Sequence, residues 1–253
     1  MNVDLPTLAT SDDALLGGRL HLRQPVDGYR VAIDPVLLAA AVPATASDRV
    51  LDIGCGVGAA GLCLAARVPG CRIVGLEKQY ELARLAADNI VRNDFAARLA
   101  VVAGDLLRPP SSLEPGSFTQ VMANPPFLEA ARASLSPVAA KAAASVEGEA
   151  RLVDWLAFAL AMLRDQGGLT LIHRADRLGD ILAALAGRAG AVTVFPLWPG
   201  EGKPAKRILI HAKKGSAAPL VLAPGLVLHR ADGRNTDAAE AILRHGASLV
   251  LVL

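Results

Sequence analysis

Seven residues, Val121-Met122-Ala123-Asn124-Pro125-Pro126-Phe127, join a short apolar run to an amide, two prolines and an aromatic ring. The run reads as the end of a buried strand, which proline stops because it has no N–H to give to a sheet ladder. Asn124 precedes a proline and is therefore biased towards extended backbone. Its side-chain amide, the Pro125 carbonyl and the Phe127 ring gather at the C-terminal edge of that strand. Acceptors beside an aromatic face suit a planar base that carries an exocyclic amino group. A proline-terminated strand with a core phenylalanine is the plainer reading of the same residues.

A second group, Asp52-Ile53-Gly54-Cys55-Gly56-Val57-Gly58, lies between a strand pattern and a helix pattern. Glycines there permit positive-φ turns and let a ligand approach bare backbone. Gly54, Gly56 and Ala59 also satisfy the dinucleotide spacing GxGxxG/A, so the glycines alone do not choose a cofactor. Glu77, closing the next strand pattern, can accept both hydrogens of a ribose diol in either case. Two acids favour S-adenosylmethionine over a nicotinamide. Asp52 places a carboxylate just before the loop, which repels a pyrophosphate and suits an ammonium group. Asp105 closes the third strand pattern, where an acid can receive the amino group of adenine. Ordinary solvated strand-end acids are the alternative. Gly58, Lys78 and Leu106, neighbours of these groups, belong to the same candidate cofactor set.

Strands and helices must alternate to bring these groups together. Strand patterns cover 50–53, 72–76, 99–103, 118–123, 169–172, 192–197 and 207–211. Helix patterns cover 33–42, 59–68, 152–163 and 176–189, and an amphipathic helix carries Leu82, Leu85, Ala86 and Ile90 on one face. Asp34 is a candidate N-cap with Pro35 in the first turn, and Gly167-Gly168 a candidate C-terminal stop. The alternation predicts an α/β fold, a Rossmann-like doubly wound and mostly parallel sheet covered on both faces. The last two strands, joined by about nine residues without a helix, predict an antiparallel hairpin at the sheet edge. Residues 1–17 read as an irregular acidic arm and 18–30 as a short hairpin turning at Asp27-Gly28. Residues 130–145, alanine-rich and broken by Pro137, read as an insertion.

Composition narrows the class. The 253 residues are 53% apolar, enough for a sizeable core, and Lys+Arg 26 against Asp+Glu 24 gives a net charge of +2. Any nucleic-acid surface must then be local. Cys55, Cys63 and Cys71 form no CxxC pair, which argues against a metal site or disulfide framework and fits a reducing cytosol. The N-terminus has no signal-peptide pattern and the apolar runs are too short to span a bilayer, so a cytoplasmic protein is expected.

VLDIGCGVG, Glu77, Gly104-Asp105 and Asn-Pro-Pro-Phe together resemble the motif series of class I S-adenosylmethionine-dependent methyltransferases, in the branch that methylates amino groups. Two flanking segments, residues 24–30 with 33–39 and residues 226–233, resemble the bacterial tRNA(valine) adenine-N6 methyltransferase family. The resemblance implies an arm, hairpin and helix over the cofactor site (1–45) and a methyltransferase domain (46–253). It implies transfer to the N6 amine of an adenine in tRNA, at nucleotide 37 beside the anticodon. Guanine-N2 of rRNA or a protein glutamine are the alternative acceptors, since they share the four-residue motif. A cofactor-binding RNA-binding protein without catalysis is a further alternative, which the intact motif disfavours.

In that branch the Asn oxygen and the following proline carbonyl accept the amine hydrogens, a role carried here to Asn124 and Pro125, with Pro126 beside them and Phe127 stacking on the base. Gln24, Tyr29 and Asp34 are expected over the methionine end of the cofactor. Arg132, Lys141, Lys203, Lys206 and Arg207 are candidate RNA contacts, although lysines on an edge hairpin also discourage strand pairing. His173 and Arg174, ending a strand on the same side, read equally as substrate contacts or as a helix cap. Trp155 and Phe158 read as helix core.

Overall fold

The chain's first strand lies where the sequence shows two consecutive acids, Asp12 and Asp13. The computed structural model describes residues 8–27, 30–126 and 149–251. Strand β1 (Thr10–Leu15) pairs antiparallel with β2 (Leu20–Pro25), and the turn between them contains Leu16-Gly17-Gly18. The expected irregular arm is thus one half of the hairpin, and Asp27-Gly28 is not its turn. Asp12 and Asp13 do not disrupt the strand because they meet partners across it: Asp12 lies 3.3 Å from Arg23 and Asp13 accepts from Gln24 at 2.8 Å. Gly17 and Gly18 sit at φ 67° and 95°, which only glycine adopts without strain.

Helix α1 (Asp34–Ala41) follows, with Pro35 in its first turn as expected. Ile33 is its N-cap rather than Asp34. The regular alternation then runs β3 (Arg49–Ile53), α2 (Ala59–Arg67), β4 (Arg72–Glu77), α3 (Tyr80–Arg92), β5 (Leu99–Ala103) and β6 (Phe118–Ala123). It continues with α4 (Leu152–Met162), β7 (Leu163–Arg174), α5 (Leu178–Leu185), β8 (Ala189–Trp198) and β9 (Arg207–Lys214). Two short strands, β10 (Val221–Leu222) and β11 (Leu226–Val227), and helix α6 (Asp237–Leu243) close the described chain.

One nine-stranded sheet runs β10-β8-β9-β7-β6-β3-β4-β5, with β11 also on β8. All its pairs are parallel except those of β9, which is antiparallel to both β7 and β8. The α/β, mostly parallel expectation holds, and the hairpin β8–β9 is present. The reversed strand is its inner arm, however, and β10 and β11 cover the outer one. Side chains alternate between two cores, as a period of two requires. Val50, Ile73, Leu99 and Met122 pack with α1, α2 and α3, whereas Leu51, Leu76, Val121 and Leu171 pack with α4 and α5.

Gly167-Gly168 does not stop α4. The helix passes directly into β7, and the glycines lie inside that strand at an irregularity against β6, where the register shifts between Phe118 and Gln120. A Cβ on Gly168 would collide with the Gln120 side chain, which is what the glycine is for. The helix expected over 176–189 is shorter, a 3-10 turn (Ala175–Arg177) leading into α5. No described helix is long and apolar enough to cross a membrane.

The hairpin is fastened to the main body by two asparagines of α3. Asn89 accepts from the Arg23 amide at 2.7 Å and donates to the Arg23 carbonyl at 2.8 Å and the Val57 carbonyl at 3.0 Å. Asn93 does the same for His21, accepting at 2.9 Å and donating at 2.7 Å. Four helical residues rise about 6 Å, and two strand residues advance about 6.6 Å, so the pair matches alternate peptides of β2. Asn89 is wholly buried, and its replacement by alanine would leave three backbone groups unpaired. Asn89→Ala is expected to lower stability by about 3 kcal/mol and Asn93→Ala, partly exposed, by about 1 kcal/mol in urea denaturation.

Candidate functional site

A cavity of about 610 Å³ opens at the C-terminal ends of β3, β4, β5 and β6. Strand order reverses there, with β4 on one side of β3 and β6 on the other, which is where open parallel sheets bind ligands. The glycine loop forms its floor. Gly54 and Cys55 donate to the Leu76 carbonyl at 2.7 and 3.1 Å, and Gly58 donates to the Cys55 carbonyl at 2.9 Å. Gly54 sits at φ 67° directly under the Trp155 ring, where a Cβ would clash. Gly56, at φ 56°, has open space where its Cβ would be, so its backbone is bare to the cavity.

Glu77 holds this loop in place. It is 6% exposed, and its two oxygens accept from the Gly56 amide at 2.9 Å and the Gln79 amide at 2.8 Å. Burial pushes its pKa up while those amides oppose the rise. Asp52 is buried beside it. Its Oδ2 has no hydrogen-bond partner among the described residues. Burial, opposed by the Gly61 amide and reinforced by the Glu77 charge, raises its pKa from 3.8 to about 7. Asp105 is tied differently. Lys78 Nζ lies 2.8 Å from its Oδ2 and 3.2 Å from Glu149, and the Leu107 amide donates to its Oδ1 at 3.0 Å. The Lys78 bond holds the Asp105 carboxyl below the usual range.

Asn124 stands on the cavity wall with Pro125 and Pro126, immediately beyond β6. Its Oδ1 is buried and has no hydrogen-bond partner among the described residues. An acceptor left in that condition is costly unless a donor from a ligand reaches it. The charge of the lining selects the ligand further. Asp27, Asp52, Glu77, Glu81, Asp105 and Glu149 face a single lysine, Lys78. That set repels a pyrophosphate and suits a cation with donor groups, so the residues fit S-adenosylmethionine and not a nicotinamide dinucleotide.

The expected cofactor residues Asp52, Gly54, Gly56, Glu77, Lys78, Asp105, Leu106 and Asn124 all line the cavity. Three do not. Gly58 caps α2 at φ 87° and lies against Ala86 of α3, a packing role. Gln24 is buried, bonded to Asp13 and to the Val31 amide, and fastens the entry segment instead of touching a ligand. Asp34 pairs with Arg207 at 3.1 Å. His173 is fully buried (0% exposed) and cannot meet a substrate directly. Lys203 and Lys206 are exposed in the β8–β9 connection. Tyr29, Phe127, Arg132 and Lys141 lie outside the described residues.

Sequence reasoning missed Trp155, which covers Gly54 and lines the cavity, and Pro25, Asp27, Val31 and Pro35, which line it from the N-terminal segment. Trp155 shares the apolar face of its helix, so nothing in its spacing separated it from core. The Asp52 shift yields a test. Its carboxyl binds a proton more tightly folded than unfolded, so its contribution to stability falls as pH rises from about 4 to about 7. Asp52→Asn is expected to gain stability relative to the native chain across that window, read as a widening difference in Tm; a constant difference would show that Asp52 is ionised throughout.

Residues 30–176 match the methyltransferase small domain family. A tRNA1(Val) (adenine(37)-N6)-methyltransferase of Aeromonas hydrophila is 30% identical over 221 residues, covering 87% of this chain and 90% of that one. A protein of the same name from Porphyromonas gingivalis is 34% identical over 160 residues, 60% of this chain and 61% of its own. Among solved structures, a predicted O-methyltransferase from Agrobacterium tumefaciens superposes with a TM-score of 0.72 at 26% identity, covering 87% of this chain and all of that one. A geranyl diphosphate methyltransferase, at 17% identity and a TM-score of 0.51 over 72% of this chain and 76% of its own, shares the fold. With an acid-lined cavity at the sheet's switch point and Asn-Pro-Pro on its wall, the chain belongs to the methyltransferase small domain family.

Proposed function

We propose that this chain methylates the N6 amine of an adenine in tRNA, at the position for which its curated relatives are named, adenine 37 of tRNA1(Val). The carrying observation is the Oδ1 of Asn124, buried without a hydrogen-bond partner among the described residues, on a cavity wall that Pro125 also lines. Two acceptors side by side match an amine with two hydrogens, and a hydroxyl acceptor has only one. S-adenosylmethionine, when bound, supplies an electrophilic methyl carbon. An aromatic amine is a poor nucleophile because its lone pair is delocalised into the ring. Asn124 and Pro125, accepting its hydrogens, push electron density back to nitrogen and fix its direction. The methylated nitrogen is cationic and loses its proton to water, so no dedicated base is required.

Other residues take supporting roles in this reading. Glu77 holds the Gly56 amide and keeps lone pairs for a ribose diol. Asp105 serves the adenine of the cofactor once Lys78 shifts towards Glu149. Phe127 stacks on the target base. Residues up to 45 act as a cover, since Pro25, Asp27, Val31 and Pro35 face the cavity. Lys203 and Lys206 leave β8 at the same sheet end as Asn124 and are assigned to tRNA phosphates, and a tRNA substrate fits a cytoplasmic enzyme.

Nucleoside mass spectrometry of tRNA from a deletion strain tests the assignment. N6-methyladenosine should vanish and return with the native gene but not with Asn124→Ala, which should still bind S-adenosylhomocysteine in calorimetry. Undiminished N6-methyladenosine, or full turnover by Asn124→Ala, overturns it. Reversing both Lys203 and Lys206 to glutamate should raise KM for tRNA, leave cofactor affinity unchanged and flatten the log–log salt slope by roughly 2.

A further inference from the structure

A methyl group that leaves the donor must pass between the glycine loop and Asn124, which holds the acceptor amine in the reading above, on which this inference rests. The sheet fixes that place. Ile53 faces Ala123 in the parallel register of β3 and β6, so Gly54 and Asn124 leave neighbouring strands side by side. Such strands lie about 4.8 Å apart, and attack needs the methyl carbon within about 3.5 Å of the amine nitrogen. The charged sulfur of the donor is thereby confined to the space over these two strand ends. Trp155 stands there. A Cβ on Gly54 would come within 2.9 Å of its Cζ3 and nearer still to its Cη2, so the far edge of the indole rests on bare backbone.

The core does not account for this ring. Leu152, Leu156 and Ala159 form the buried stripe of α4, whereas Trp155 flanks the stripe half-buried and lines the cavity. It is the one aromatic side chain in the lining among the described residues, and the charged groups around the cavity are acids apart from Lys78. An aromatic face among carboxylates is an arrangement that recognises onium cations, because the electron-rich face of the ring attracts the charge. Methyl transfer breaks the S–C bond and leaves its electron pair on sulfur, so the sulfonium becomes a neutral thioether. We propose that Trp155 contacts the sulfonium of S-adenosylmethionine, giving the donor an attraction that its product, S-adenosylhomocysteine, lacks. The ammonium group cannot provide that distinction, because donor and product both keep it.

Calorimetry without RNA tests this with the donor, with S-adenosylhomocysteine, and with sinefungin, which carries an amine cation in place of the methylated sulfur. Trp155→Leu should weaken binding of the donor and of sinefungin about fivefold, and of S-adenosylhomocysteine less than about twofold. Trp155→Phe keeps a ring face and should recover about twofold of the loss. In Trp198→Phe, Trp155 is the only tryptophan left, and its emission should change more with the donor than with S-adenosylhomocysteine. Equal losses for all three ligands, unchanged donor affinity in Trp155→Leu, a Phe variant no better than Leu, or an emission indifferent to the donor each overturn the proposal. Should Trp155→Leu fail to fold, the emission measurement, made with the native ring in place, decides. A protein that shows this selectivity and methylates no tRNA would sink the functional reading alone.

Discussion

A strand that ends in two prolines cannot be held by the sheet that made it, and the arrangement of this molecule turns on that constraint. β6 delivers Asn124 to the edge of a parallel sheet, where the ladder stops for lack of donors. The amide is released from sheet pairing and its oxygen lies buried on the cavity wall. What steadies it must come from the neighbours. β7 supplies them because it runs on to Arg174, three residues beyond the Leu171 that faces the last residue of β6. The uninterrupted passage from α4 into β7 serves the same end. It sets Trp155 over Gly54 from one end of the segment and carries the strand past the last residue of β6 at the other.

The opposite wall depends on a different device. β1 and β2 form a sheet of their own, outside the ladder of the main one, and are joined to the main body by Asn89 and Asn93 together with Leu20 and Leu22, which are buried in its core. Asn89 also binds the Val57 carbonyl, so one buried side chain joins the hairpin, α3 and the glycine loop. The segment leading from β2 then lines the cavity with Pro25, Asp27, Val31 and Pro35. Loop geometry and cover are therefore set together.

Much of this was legible because period-two apolar runs punctuated by glycine and acid are strong local signals. Residues 52–58, Glu77, Gly104-Asp105 and Asn124 each close a strand pattern, and all but the last glycine of the loop came to the cavity. The first strand was not legible. Its polar run is met by Arg23 and Gln24 across the hairpin and by Arg30 and Arg92 beyond it, and such partners are invisible until the chain has folded. Gln24 and Asp34 misled for a related reason: they lie near the site along the chain, but Asp13, Val31 and Arg207 claim their polar atoms. Gly167-Gly168 matched a helix stop in composition, yet its small size is used against Gln120 inside a strand. Position of a polar residue along a chain says where it is, and only its competitors say what it is free to do.

The electrostatics of the cavity carry the argument one step further. Asp52 and Glu77 are both buried, both have raised pKa values, and the charge of one raises the other. Lys78, the cation of the lining, is engaged by Asp105 and Glu149. Two desolvated carboxyls without a cationic partner of their own detract from stability, a feature that folds retain where a ligand uses it. A ligand that brings an ammonium group into this cavity favours ionisation of Asp52, so the desolvation that weakens the empty fold is the same feature that such a ligand relieves.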